Sequence, residues 1–131
     1  MRYLQSASCI SLKQGQSAAR RKAVADGVYT ALRETFNVPE EDRFITIGEH
    51  DEDGFVFSRT YMNIERNDDL VILQITVSNT RNVEQKKALF ARIAELLSQN
   101  PGLRREDVFI NLVEVVKENW SFGNGIAQYA D

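Results

Sequence analysis

A chain of 131 residues is long enough to form one domain with a core of its own. Its composition, 43% hydrophobic and 27% charged, excludes a disordered chain. A formal net charge of only −3 excludes a general binder of nucleic acid or anionic membrane.

No apolar run approaches the roughly 20 residues needed to span a bilayer. The opening MRYLQSASC has neither a basic segment followed by an apolar one nor a small-residue cleavage site, so a cytosolic protein is expected. With one cysteine, Cys9, and one histidine, His50, neither an internal disulfide nor a Cys/His metal set can form. No metal or cofactor is expected.

The first element is a strand around Ile10 and Leu12, on which Cys9 alternates with apolar neighbours and is expected in the core. Ser17 then caps a helix whose apolar stripe is Val24, Val28, Ala31, Leu32 and Phe36, and Asn37 and Pro39 end it. A strand returns over residues 44–47. The connector 48–68 is polar at its ends, with His50 expected as a solvated loop residue, and aromatic in the middle at Phe55, Phe57 and Tyr61. Residues 70–77 (LVILQITV) suit a strand buried on both faces. Asn82 and Gln85 have capping-box spacing before a helix with Val83, Leu89, Ile93, Leu96 and Leu97 on its apolar stripe. Pro101-Gly102 stops that helix, and residues 108–116 form the last strand. The tail 113–131 contains turn chemistry beside Trp120 and Phe122, suited to a hairpin that reaches a neighbouring subunit.

These elements repeat. A shift of 65 residues lays Ile10 on Ile75, Lys22-Ala23 on Lys87-Ala88, Leu32 on Leu97, and Asp42 on Asp107, without a gap. The reading is a single α+β domain over 1–131: repeat one at about 6–47, the connector, then repeat two at about 71–112. Strand, crossover helix and strand within each copy imply parallel pairing. The expected fold is therefore two tandem β-α-β units forming a four-stranded mixed sheet with both helices on one face. The other face would expose Val, Ile and Leu, so oligomerisation is expected to cover it.

The pieces VPEEDRF (38–44), DDLVILQI (68–75), RNVEQKKALFARIAELL (81–97), EDVFINLVE (106–114) and ENWSFGNG (118–125) resemble the tautomerase superfamily. The branch they are most similar to contains malonate semialdehyde decarboxylase, and the resemblance runs from about Ile10 to Tyr129. It implies a homotrimer, a small carboxylic-acid ligand such as a 2-oxo or enol acid, and tautomerase or decarboxylase chemistry. In that family the chemistry depends on an N-terminal proline, whose secondary amine is tuned by an apolar pocket.

The chain departs from this pattern at the decisive position. Counting from Gly15 and Asp42, the proline position falls on Ser6, which follows five residues, and the only prolines are Pro39 and Pro101. An amide nitrogen at Ser6 has no basicity, so weak or altered activity is expected. The resemblance makes Asp42 the water-activating aspartate, Arg81 a carboxylate anchor, and Trp120 and Phe122 the apolar wall. From the residues alone, Asp42 fits a turn role equally, because Asp107 repeats it. Arg81 fits a helix-entry surface position, and the two aromatics fit core packing. Residues 1–5 are expected to lie across the pocket mouth or to extend the sheet. A non-catalytic trimer that binds small acids, and a dimeric ferredoxin-like regulatory domain, stay open as alternatives.

Overall fold

The structure, a computed structural model, describes residues 4–130. Strand β1 (Ser6–Lys13) leads into helix α1 (Ala18–Phe36) and strand β2 (Ile45–His50). After the connector come β3 (Val71–Ser78), α2 (Val83–Gln99) and β4 (Val108–Val115). The sheet order is β2-β1-β3-β4; β1 pairs parallel with β2, β3 parallel with β4, and β1 antiparallel with β3. Each β-α-β unit therefore keeps its own two strands adjacent. A ferredoxin-like fold separates them, so that alternative does not describe this chain. β1 and β3 start and end 65 residues apart, as do the two N-caps, Ser17 and Asn82.

Local chemistry sets these bounds. Ser17 Oγ accepts from the Arg20 backbone N–H at 3.1 Å. Asn82 and Gln85 form the reciprocal capping box, at 2.8 and 3.2 Å. Helix α1 ends where Asn37 takes the left-handed conformation, φ 55°. The core lies between one sheet face and both helices. Ile10, Leu12, Leu73, Ile75 and Val77 pack against Val24, Val28, Leu32, Phe36, Leu89, Ile93 and Leu97. Each such side chain contributes about 1.5–3 kcal/mol of burial.

Strand register settles the other face. The cross-strand rows Thr46–Cys9–Gln74–Asn111 and Gly48–Ser11–Ile72–Phe109 point away from the helices. Cys9 is therefore exposed, not core, because its neighbours Ser8 and Ile10 take the buried side. β3 is likewise buried on one face only, with Gln74 exposed on the other. His50 is a strand residue rather than a loop residue, and its ring stacks on Phe55 at 5.7 Å. Among the described residues no strand follows β4, so the expected C-terminal hairpin is instead a series of turns folded back on the same chain. Among the described residues, no helix is long and apolar enough to cross a membrane.

The helices pack closely at Gly27, where an added Cβ would lie 2.7 Å from Leu97 Cδ2. Gly27→Ala gains about 1 kcal/mol of helix propensity but overpacks a filled site, at about 1–3 kcal/mol. The expected net result is a loss of about 1 kcal/mol. Leu97→Ala, which empties the same contact, should lose about 2–5 kcal/mol. Urea denaturation of both variants checks the order.

Candidate functional site

The site is built where β1 starts. Tyr29 donates its hydroxyl to the Glu40 carbonyl at 2.6 Å, and Arg33 Nη1 donates to the Val38 carbonyl at 2.8 Å. Arg43 lies over the Tyr29 ring at 4.4 Å and pairs with Asp26. The loop 37–44 is thereby held against α1, and the Asp42 N–H closes its turn on the Pro39 carbonyl at 2.9 Å. This delivers the Asp42 carboxylate to the first residue of β1, where Oδ2 accepts from the Ser6 backbone N–H at 2.8 Å. Asp42 is buried, and Oδ1 has no hydrogen-bond partner among the described residues.

Burial raises the Asp42 pKa above its ordinary value; the Ser6 N–H and the positive charge of Arg81 oppose the shift without cancelling it. Asp107, at the equivalent place in the second repeat, is handled differently. It accepts from the Asn67 N–H at 2.8 Å and is paired with Arg104 at 2.9 Å. Pro39 stands where the repeat would supply that arginine, so Asp42 lacks the partner that neutralises its counterpart.

Ser6, Ala7, Asp42, Phe44, Trp120, Ser121 and Phe122 line one cavity of about 220 Å³. A second, of about 260 Å³, shares Asp42, Phe44 and Phe122 and adds Gln5, Pro39, Glu41 and Tyr129. Trp120 is fixed by its indole N–H, which donates to Ser78 Oγ at 2.9 Å, and its ring stacks on Phe122 at 5.5 Å. Tyr129 meets Phe122 edge-on at 5.1 Å. A larger opening, about 480 Å³, lies among Thr60, Asn63, Ile64, Glu65 and Glu106, with no aromatic wall.

Four of the five residues singled out in the sequence, Ser6, Asp42, Trp120 and Phe122, thus share one cavity. Arg81 lies outside the lining of both cavities, with Nη1 and Nη2 hydrogen-bonded and Nε left without a partner among the described residues. Nη2 donates to the carbonyls of Leu4 at 2.7 Å and Phe36 at 2.8 Å, and Nη1 donates to Thr80 Oγ1 at 3.2 Å. Its plane lies over the Phe36 ring at 4.7 Å. Burial pushes its pKa down, and the Asp42 charge pushes it back up. The surface helix-entry alternative fails, since Arg81 is 7% exposed. Phe44, Ser78 and Tyr129 were not singled out. Phe44 had a signal, since it belongs to the 38–44 motif and repeats at Phe109; the partnership of Ser78 with Trp120 had none. Leu4 and Gln5 lie beside the site, whereas the rest of the 1–5 expectation falls on residues 1–3, outside the described residues.

Two variants test this geometry. A carboxyl whose pKa is raised on folding contributes stability below its unfolded value, near 3.8, and that contribution is lost as pH rises through the folded value. Asp42→Asn does not titrate. Its melting temperature relative to wild type should therefore climb as pH rises through the window just above 3.8, then level off. Arg81→Ala strands buried carbonyl groups at about 1–3 kcal/mol each, and Arg81→Lys, without the planar fork, should restore little of it. Urea midpoints read both.

Comparison with known proteins agrees with this architecture. Residues 42–123 match a family described as "Tautomerase enzyme", and a second family of the same description matches residues 9–62. The probable tautomerase YusQ of Bacillus subtilis (strain 168) is 38% identical over 119 residues, 91% of this chain and 94% of the relative. The crystal structure of FG41 malonate semialdehyde decarboxylase inhibited by 3-bromopropiolate is 34% identical. It superposes with a TM-score of 0.87, over 94% of this chain and 93% of that one. A fused 4-OT, a symmetric trimer, shares the fold at 18% identity, with a TM-score of 0.76 over 94% of this chain and 97% of that one. The chain belongs to the tautomerase superfamily, and within it resembles the malonate semialdehyde decarboxylase branch.

Proposed function

We propose that this protein is a tautomerase-type proton-transfer protein in which Asp42, rather than a terminal amine, moves the proton. The observation that carries this reading is the buried Asp42 carboxylate, which no cationic side chain hydrogen-bonds among the described residues, with Oδ2 held by the Ser6 N–H and the residue lining two aromatic cavities. A carboxylate with a raised pKa is a better base at neutral pH than an ordinary one. It takes the proton from the carbon beside a carbonyl, the C–H pair becomes a C=C bond as the carbonyl π pair moves onto oxygen, and the carboxyl returns the proton to that oxygen. The reverse sequence ketonises an enol.

Ser6, at the place of the family's proline, orients Asp42 and holds no basic lone pair, because its nitrogen is an amide bonded to Gln5. Turnover is therefore expected to be low. Arg81 serves as a positioning residue that fixes the chain two residues ahead of Ser6. The assembly proposed is a homotrimer, supported by the uncovered sheet face with Ile72, Phe109, Val113 and Val115 and by the trimeric protein of the same fold.

Ultraviolet-monitored ketonisation of phenylenolpyruvate at high protein concentration tests the reading. Turnover above buffer is expected, falling about 100-fold or more in Asp42→Asn. No turnover above buffer would replace the enzyme reading with that of a trimer that binds a small molecule without converting it. Sedimentation equilibrium should give three times 14.9 kDa; a monomer would remove the trimer from the reading.

A further inference from the structure

The repeat continues past each β-α-β unit into the segment that follows it. The same shift of 65 residues lays Phe55 on Trp120, Val56 on Ser121 and Phe57 on Phe122. Phe55 and Phe57 meet at 5.5 Å, as do Trp120 and Phe122. Each segment walls the start of the other unit's first strand. The tail after the second unit closes on Ser6 and Ala7 of β1, and the connector after the first unit closes on Leu70 and Ile72 of β3. The connector's cavity, about 230 Å³, matches the 220 Å³ of the one at β1. Ile72 and Phe109 stand in it at the places of Ala7 and Phe44, and Val56 and Phe57 at those of Ser121 and Phe122.

The walls are repeated, but the charge is exchanged. Asp107, the counterpart of Asp42, is sealed by Arg104 and the Asn67 N–H and does not line this cavity. The one charged residue that does is Arg66. Its Nη1 donates to the carbonyls of Tyr61 at 3.0 Å and Ile64 at 3.1 Å, which pins the guanidinium to the wall. Nε and Nη2 have no hydrogen-bond partner, and no carboxylate pairs with Arg66, among the described residues. The acids nearby are placed elsewhere. Asp68 is paired with Arg59 and Lys13, and Glu65 and Glu106 line the larger opening.

The Nε–Nη2 edge of an arginine presents two parallel N–H groups, the match for a carboxylate, and the rest of the cavity offers ring and aliphatic surface. We propose that this cavity is a second ligand site, which takes a small carboxylate bearing an aryl or branched alkyl group. It holds that ligand without converting it, because no acid or base reaches the cavity. The inference does not rest on the reading of Asp42 given above.

Amide resonances of the intact, nitrogen-labelled protein, titrated with 3-phenylpropanoate, test it. Saturable shifts are expected at Ser58, Arg66, Ile72 and Phe109. In Arg66→Gln the affinity read from this set should fall about tenfold or more, and in Asp42→Asn it should not change. 3-Phenylpropanamide, which has the same shape without the charge, should bind the wild-type protein about tenfold more weakly. Should Arg66→Gln disturb the connector, that comparison on the unaltered protein still decides.

Shifts confined to Ser6, Asp42 and Trp120 would overturn the proposal, as would equal affinity for the amide. Absence of saturation would overturn it too, and would leave the cavity to a side chain of a neighbouring copy. Saturation at the second set without enol turnover would keep this inference and sink the proton-transfer reading. Turnover with shifts only at the first set would do the reverse.

Discussion

Strand β1 starts between two buried charges of opposite sign, one held by the first residue of that strand and the other by the backbone just ahead of it. The Asp42 carboxylate accepts from the Ser6 N–H, and the Arg81 guanidinium donates to the Leu4 carbonyl. β1 is an inner strand, paired with β2 on one side and β3 on the other. Fixing where it starts therefore fixes the register of both units against each other. The Phe36 carbonyl, at the end of α1, shares the same guanidinium. One arginine from the second repeat thus ties the first strand and first helix of the first repeat together. Charges this deep are stable only when paired or hydrogen-bonded, which is why Arg81 is absorbed into the frame rather than left to face a ligand.

Duplication explains what is unusual about the site. Both repeats turn from helix to second strand through a loop that ends on an aspartate at the same place. In the second repeat Arg104 neutralises Asp107, which is wholly buried. In the first, proline replaces the arginine, and the aspartate turns toward a cavity walled by the C-terminal turns. A structural feature used twice has thus been left incomplete once, and the incomplete copy has chemical potential.

The same duplication leaves the molecule one-sided. Two helices cover one face of the sheet, and the rows through Cys9 and Ile72 stay open. The open face mixes Ile72, Phe109 and Val113 with Gln74, Thr76 and Asn111, a composition suited to contact between copies. Such a face differs from a core by its polar rows, which is why Cys9, Ile72, Gln74 and Thr76 read as interior in the sequence and are not.

By itself the sequence determined the elements and their order. The capping residues Ser17, Asn82 and Gln85, the helical stripes, and the 65-residue shift each rest on local rules of hydrogen bonding and periodicity that do not need the rest of the chain. It also brought Ser6, Asp42, Trp120 and Phe122 forward together, through motifs spread over more than a hundred positions. Tertiary structure alone decided which way each side chain faces and with whom it is satisfied. Whether Cys9 is inside depends on strand register, and whether Arg81 is a free cation depends on the carbonyls of Leu4 and Phe36, 77 and 45 residues away. Periodicity records that a residue is apolar or charged; the partner that satisfies it is set only when distant segments meet.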